Sequence, residues 1–136
     1  MQEVEKAYSA GFFDGEGSIY ISRGRKLKTG YQYFLCISIN NTDKPIIDLF
    51  QQWFNGKISI NPDTRTRRKL MRLRIYSIEA MKFLRILMPN LKVKLKQAQL
   101  ALEFQEQMSV RKLTDEEKTF YKKTISQYNQ KGRIIA

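Results

Sequence analysis

Residues 9–17 read SAGFFDGEG, and this stretch places Gly11 and Gly15 four positions apart, next to two acidic residues. Positions four apart lie on the same face of a helix, and the preceding residues carry apolar or small side chains at helical spacing. Glycines in this arrangement either let two helix backbones pack closely or mark a fraying helix end. The stretch therefore predicts a helix with a smooth face that leads into the carboxylates of Asp14 and Glu16.

Two hairpins are predicted after this helix, because apolar and polar residues alternate in four segments. The predicted strands are residues 18–23, 31–40, 57–61 and 70–76. The predicted helices are residues 4–13, 46–54, 78–87, 93–107 and 114–128, and the last of them begins with a predicted capping box between Thr114 and Glu117. This α-ββ-α-ββ-α order predicts an α+β fold, in which helices cover one face of a four-stranded antiparallel sheet. The 136 residues fit a single domain, 1–136, with a core at 4–107 and a helical tail at 114–130.

The charge balance predicts a polyanionic partner, because 25 lysines and arginines against 13 acidic residues give a formal charge of +12. The absence of histidine excludes Ser-His-Asp and Cys-His catalysis, His-ligated zinc and a histidine general base. The single cysteine, Cys36, excludes an internal disulfide framework and a multi-cysteine metal site. No apolar run spans a bilayer and no signal-peptide layout is present. We therefore expect an intracellular, non-secreted protein without a membrane partner.

One face of the predicted sheet, together with its hairpin turns, carries polar, aromatic and basic side chains. Arginine recognises phosphates and guanine edges through paired hydrogen bonds, and an antiparallel ribbon fits the major groove of DNA. The simpler alternative is a solvated sheet face with ordinary basic loops. The predicted nucleic-acid contacts, including two lysines from a later helix, are Tyr20, Ser22, Arg25, Lys28, Gln32, Phe34, Ser38, Asn40, Arg65, Arg67, Arg68, Arg72, Arg74, Lys92 and Lys96.

The acidic end of the first helix conflicts with a surface that binds phosphates, since Asp14 and Glu16 would repel them. A divalent cation between carboxylate and phosphate removes this repulsion, and Mg²⁺ takes one or two carboxylates together with substrate oxygens and water. A cation in that position polarises a phosphodiester and activates water. The residues themselves thus predict a metal-dependent reaction on a nucleic acid.

The stretch SAGFFDGEG resembles the motif of LAGLIDADG homing endonucleases, with Ser9 in place of the first leucine. Residues 18–21 are similar to the strand that follows the motif in this family, and the order of elements extends the resemblance over residues 4–107. The resemblance implies the family's fold, a saddle-shaped antiparallel sheet with helices on one face. Because the motif occurs once, the chain resembles the homodimeric members, in which two motif helices pack together and their acids meet at the dimer axis.

The resemblance also implies roles for individual residues. Glu16 matches the metal-binding acid, and the backbone of Gly15 is a second metal ligand. Asn41 matches a position that helps to place water, with a plain cap on the next helix as its alternative. Lys94 matches a lysine near the scissile phosphate, with phosphate binding alone as its alternative. The implied dimer interface consists of Ala7, Gly11, Phe12, Asp14 and Gly15.

The function that follows is an intron-encoded, site-specific endonuclease. The resemblance implies a homodimer that makes staggered cuts in a long palindromic or near-palindromic double-stranded DNA target. It also implies Mg²⁺ as cofactor, Mn²⁺ as a substitute, and Ca²⁺ as an ion that supports binding without cleavage. The expected compartment is a prokaryotic cytoplasm or nucleoid, a chloroplast or a mitochondrion. Two alternatives on the same scaffold remain open: an RNA-binding intron maturase, and a DNA-binding protein that has lost cleavage.

Overall fold

The computed structural model describes residues 1–62 and 69–135. Within these residues it confirms the predicted α+β fold, with a four-stranded antiparallel sheet and helices packed on it. The helices are α1 (Glu3–Glu16), α2 (Lys44–Phe54), α3 (Ser77–Leu87), α4 (Leu95–Val110) and α5 (Asp115–Ile135), with a short 3-10 helix at Met88–Asn90. The strands are β1 (Gly17–Leu27), β2 (Gly30–Asn41), β3 (Lys57–Pro62) and β4 (Lys69–Tyr76). In the described part of the chain, every helix is too short or too polar to cross a membrane.

The sheet has the strand order β1-β2-β4-β3, so that β1 and β3 form its edges. Ile19 of β1 pairs with Ile37 of β2, which pairs with Ile75 of β4. All three side chains are buried in the core, because this inner face of the sheet packs against the helices. Side chains alternate between the two faces of a strand. On each strand, the residues directly before and after these isoleucines therefore point to the outer face of the sheet.

The junction between α1 and β1 is fixed by aromatic packing. The Phe13 ring is fully buried and meets the Phe83 ring of α3 edge-on, with centroids 5.0 Å apart. Phe83 packs in the same way against Phe54 of α2, at 4.7 Å; such edge-to-face contacts are favourable. A Cβ atom at Gly17 would overlap the Phe13 ring. Glycine is therefore needed at this junction, which holds the acidic end of α1 against the start of β1.

The elements on either side of the α1–β1 junction both extend beyond their predicted ends. α1 continues through both motif glycines and ends at Glu16, so the acidic residues form its last turn rather than a loop. β1 continues to Leu27, with a pairing irregularity between Arg23 and Lys26. Arg25 therefore lies in a strand and not in the hairpin turn. Backbone pairing with β2 outweighs the turn preference that Gly24 gives to this segment.

The predicted tail is part of the packed structure. The backbone N–H of Thr114 donates to Glu117 Oε1 and the backbone N–H of Glu117 donates to Thr114 Oγ1, both at 3.1 Å. This pair confirms the predicted capping box at the start of α5. Tyr121 and Ile125 of the same helix are buried in the core. The C-terminal helix thus contributes to the core rather than extending away from it.

The helix α5 also covers the outer edge of β1. Lys122 Nζ donates to the carbonyl of Ile21 at 3.1 Å, and Asn129 Nδ2 donates to the carbonyl of Ile19 at 2.9 Å. An open edge strand presents unpaired backbone groups to other chains. These two side chains satisfy part of that edge, so the C-terminal helix also protects β1.

Ser9, which stands where the motif has leucine, carries a buried hydroxyl without a hydrogen-bond partner among the described residues. An unpaired buried hydroxyl costs about 1–3 kcal/mol. We expect Ser9→Ala to raise the free energy of unfolding by about 1–2 kcal/mol, measured as a higher urea midpoint with an unchanged slope. The control Ser126→Ala, at an exposed position of α5, should gain only alanine's helix propensity, about 0.5 kcal/mol. A lower midpoint for Ser9→Ala would contradict the unpaired state of the hydroxyl.

Candidate active site

The C-terminal end of α1 is tied to the segment that leads into α4. The Asp14 carboxylate accepts hydrogen bonds from the backbone N–H groups of Lys92 at 2.8 Å and Lys94 at 3.1 Å. In return, the Lys94 ammonium group donates to the backbone carbonyl of Asp14 at 2.6 Å. Carbonyls in the last turn of a helix have no partner within the helix, and Lys94 satisfies one of them. Asp14 therefore orients the helix end, and its carboxylate is occupied.

Glu16 is the last residue of α1, and its side chain is exposed. Within the described part of the chain, no hydrogen bond or ion pair holds its carboxylate. Burial lowers the pKa of the Lys94 ammonium group, while the negative charges of Asp14 and Glu16 oppose this shift. Glu16 thus lies within electrostatic range of Lys94, and its oxygens are available to a further ligand.

This helix end is suited to a bound cation. It carries the negative end of the α1 dipole and two carboxylates, and its last turn contains no basic residue. The Glu16 carboxylate and the Gly15 carbonyl offer oxygen, which is the ligand type of Mg²⁺ and Ca²⁺. Among the described residues, no group of three or more His, Cys, Asp or Glu residues is placed to hold a metal. The donor set fits a hard divalent cation whose remaining ligands come from outside this chain.

A cavity of about 660 Å³ opens beside the end of α1. The α1–β1 junction and the start of α4 form one wall, and the outer face of the sheet forms the other. Its lining includes Gly15, Lys94, Ser38, Asn40 and Arg72. The cavity therefore brings the predicted catalytic lysine together with Asn40 and Arg72, two of the predicted nucleic-acid contacts.

Asn41 is placed differently from Asn40. Its carboxamide oxygen accepts a hydrogen bond from the backbone N–H of Asp43 at 2.8 Å, which is the pattern of an Asx turn before α2. Alternation along β2 puts the two asparagines on opposite faces of the sheet, and of the two it is Asn40 that lines the cavity. The geometry thus matches the capping alternative for Asn41. The strand alternation was the signal that separates the two residues.

The centre of the outer face is an aromatic cluster. Cys36 lies between Tyr20 of β1 and Tyr76 of β4 in the strand register and is fully buried. Burial raises the pKa of Tyr20 to about 12, and its hydrogen bond to Cys36 adds to the rise. Burial also raises the pKa of the Cys36 thiol. The Phe34 ring meets the Tyr76 ring edge-on at 5.9 Å. The thiol is therefore protonated and unreactive, and Tyr20 is a neutral phenol held in place.

Basic side chains frame this cluster on the outer face. Arg74 of β4 pairs with Ser38 of β2 and with Lys57 of β3. The predicted contacts divide by exposure. Five are exposed: Arg25, Lys28, Gln32, Lys92 and Lys96. Six are partly exposed, namely Tyr20, Ser22, Phe34, Asn40, Arg72 and Arg74, and Ser38 is buried. Arg65, Arg67 and Arg68 lie outside the described residues. The outer face thus offers positive charge on both sides of an aromatic centre.

One stripe of α1 is uncovered in the described part of the chain. Val4 is 78% exposed and Tyr8 is 49% exposed, and Ala7, Gly11 and Gly15 are exposed as well. A Cβ atom at either glycine would have no atom within 4 Å. These five positions follow the helical repeat and form what we call the exposed α1 face. It is apolar, nearly flat and open to another helix.

Two residues that were predicted for the dimer interface are engaged within the chain instead. The Phe12 ring packs against Phe50 of α2, with centroids 5.2 Å apart. One residue along a helix rotates a side chain by about 100°, which turns Phe12 away from Gly11 and toward α2. The Asp14 carboxylate holds the segment before α4. Ala7, Gly11 and Gly15 are therefore the predicted interface residues that remain accessible.

Asp14→Ala removes the acceptor of two backbone N–H groups. We expect this variant to lose about 2 kcal/mol of unfolding free energy, since hydrogen bonds to a charged group contribute about 1.5–3 kcal/mol and this carboxylate is partly exposed. Urea unfolding measures the loss. Asp43→Ala is the matched control, because the Asp43 side chain makes no capping hydrogen bond, and it should change the free energy by less than about 0.5 kcal/mol. Equal urea midpoints for the two variants would contradict a stabilising role of the hydrogen bonds that link Asp14 to the segment before α4.

Solved structures of homing endonucleases share this fold. I-CvuI, in complex with the I-CreI target and 2 mM Mg with the DNA not cleaved, matches with a TM-score of 0.78 at 19% identity. The match covers 93% of this chain and 82% of that one. I-TnaI matches with a TM-score of 0.60 at 24% identity, over 76% of this chain and 73% of that one. I-SmaMI, bound to uncleaved DNA with calcium, gives 0.61 at 24% identity over 76% of this chain and 37% of that one.

The fold is thus that of the homing endonucleases, with an exposed acid at the end of its first helix. The model of the LAGLIDADG endonuclease family matches residues 9–87, which is more than half of the chain. No curated protein matches the sequence. The chain belongs to the LAGLIDADG endonuclease family, and this membership implies a nuclease.

Proposed function

We propose that this chain is a site-specific DNA endonuclease that acts as a homodimer and makes a Mg²⁺-dependent, staggered double-strand break. One observation carries the proposal. Glu16 stands exposed at the end of α1, within electrostatic range of Lys94 and beside a cavity that opens onto the outer face of the sheet. The other motif carboxylate, Asp14, is occupied by backbone N–H groups. Glu16 is therefore the acid that is left for a cation.

The homodimer forms through the exposed α1 face. A twofold interface uses the same patch on both copies, and a flat stripe centred on Gly11 lets two copies of α1 approach closely. Packing of these helices brings both copies of Glu16 toward one axis. The outer face of each copy then binds one half of the target sequence, which we call a half-site. Because the two copies are identical, the two half-sites have the same or nearly the same sequence, and the target is palindromic or nearly so.

The roles of the residues follow from their positions. Glu16 and the Gly15 carbonyl would hold Mg²⁺, which would supply Lewis-acid polarisation of the phosphate and a better water nucleophile. Lys94, which Asp14 holds in place, stabilises negative charge that develops on the phosphate. Asn41 caps α2, because its oxygen accepts from the backbone N–H of Asp43, and only its amide nitrogen is left for the water-placing role that the resemblance implies. Mn²⁺ substitutes for Mg²⁺, and Ca²⁺ supports binding without cleavage.

Double-stranded DNA is the proposed partner of the outer face. Lysines and arginines supply affinity by displacing counterions from the phosphates, so binding weakens steeply as salt increases. The solved complexes of I-CvuI and I-SmaMI with DNA support DNA as the partner of this chain. The rings of Phe34 and Tyr20 add apolar contact at the centre of this face.

A cleavage selection tests the proposal. The full chain is incubated with a plasmid library of candidate intron-insertion sites in Mg²⁺, Mn²⁺, Ca²⁺ or EDTA. We expect linear plasmids in Mg²⁺ and Mn²⁺ only, with 3′ overhangs and one enriched, nearly palindromic site. Binding of DNA without cutting in Mg²⁺ or Mn²⁺ would show a cleavage-deficient DNA-binding protein. Binding of folded intron RNA alone would show a maturase.

A further inference from the structure

Asn40 and Arg72 form a coupled pair on the wall of the cavity. They are directly opposite each other in the pairing of β2 with β4. Arg72 Nε donates to Asn40 Oδ1 at 2.9 Å, and the Ser38 hydroxyl donates to the same oxygen at 3.4 Å. Both Asn40 and Arg72 are partly exposed and line the cavity that also contains Gly15 and Lys94.

The hydrogen bond fixes the orientation of the Asn40 amide. Arginine has donors and no acceptor, so the amide atom that faces Arg72 Nε must be the oxygen. That oxygen already accepts two hydrogen bonds, from Arg72 and from Ser38, which uses both of its lone pairs. What the pair offers to a ligand is therefore donors alone: the amide nitrogen of Asn40 and the two terminal nitrogens of the Arg72 guanidinium group.

This donor set decides which base the pair can recognise. A free asparagine pairs with adenine, by accepting from N6 and donating to N7. Asn40 cannot do so, because its oxygen is occupied. Guanine presents two acceptors in the major groove, O6 and N7, and arginine donates to both. We propose that Asn40 and Arg72 act as one unit that selects guanine, with Asn40 as the residue that positions Arg72.

The position of the pair indicates which base pair it reads. Arg72 and Asn40 share their cavity with the end of α1 and with Lys94, where the proposed function places the scissile phosphate. Arg74, two residues further along β4, does not line this cavity in the described part of the chain. The selected guanine therefore lies in the innermost part of each half-site, next to the cut. This inference rests on the proposed function and extends it to the sequence that the site prefers.

The test is a binding selection from random double-stranded DNA in Ca²⁺, followed by competition between duplexes that differ at the selected position. We expect guanine at one inner position of each half-site, favoured about 5- to 150-fold over adenine. Arg72→Ala should abolish this preference and, by freeing the Asn40 oxygen, increase the relative binding of adenine. Arg74→Ala, on the same strand and face, is the matched control and should leave the inner position unchanged.

Two variants of Asn40 separate positioning from direct contact. Asn40→Ala should reduce the guanine preference while Arg72 is still present. Asn40→Asp keeps an oxygen for Arg72 Nε and should retain the preference, although its added negative charge lowers affinity for all sequences. A selected adenine, or no preference at an inner position, would overturn the inference and leave the endonuclease proposal intact. Failure to bind any duplex would overturn both.

Discussion

Glu16→Gln is expected to abolish cleavage while DNA affinity is retained. The amide keeps the shape of the side chain but loses the charge that holds a divalent cation. A catalytic metal contributes several kcal/mol to transition-state stabilisation, and each 1.4 kcal/mol is a factor of ten, so we expect a loss of about a thousandfold or more. Affinity in EDTA should stay equal or increase slightly, because a negative charge near the phosphates is removed.

Three controls make this result specific to the metal. Glu16→Asp keeps a carboxylate, the ligand type of Mg²⁺, and should retain Mg²⁺-dependent cutting. Glu3→Gln removes the same charge at the opposite, exposed end of α1 and should leave the rate unchanged. Unfolding of Glu16→Gln in urea should match that of the parent chain, because no hydrogen bond holds Glu16 within the described residues. Plasmid cleavage and gel-shift titration give the two readouts, and normal cutting by Glu16→Gln would refute the assignment of Glu16.

The features that the sequence predicted correctly are local. The alternation in the four segments predicted the faces of the sheet, since burial repeats with the period of a strand. The spacing of Thr114 and Glu117 predicted a capping box, because both partners lie within one turn. In each case the residues that determine the structure are close together in the chain.

The features that the sequence did not predict depend on distant contacts. Asp14 and Lys94 are joined across 80 positions, so the motif alone could not show that the Asp14 carboxylate is occupied. The burial of Cys36 on the outer face depends on Tyr20 and Tyr76 from two other strands. Strand alternation puts Asn40 and Asn41 on opposite faces of β2, but the cavity adjoins the face of Asn40 only because the end of α1 and the start of α4 lie there. None of these relations is encoded in the spacing of neighbouring residues.

Gly11→Leu is expected to convert the dimer into a monomer and to abolish double-strand cleavage. Gly11 lies in the middle of the exposed α1 face, where a Cβ atom meets nothing within 4 Å in the single chain. Leucine is therefore accommodated by the fold, and it favours the helix by about 0.5–0.8 kcal/mol relative to glycine. In the dimer, however, the larger side chain would hold the two helix backbones apart. Stability of the chain and its association should thus change in opposite directions.

Sedimentation equilibrium measures association. Urea unfolding of both chains at a concentration below the dissociation constant of the parent dimer, where association adds no stability, measures the stability of the single chain. Ser126→Leu adds leucine at an exposed position of α5 and should leave both association and cleavage unchanged. If Gly11→Leu cut both strands as a dimer, the exposed α1 face would not be the interface. If the parent chain bound its target as a monomer, the two Glu16 side chains would not meet at a twofold axis. The protein would then have no symmetry that favours a palindromic target. Loss of association together with a higher midpoint for unfolding is the combination that only a helix interface at Gly11 explains.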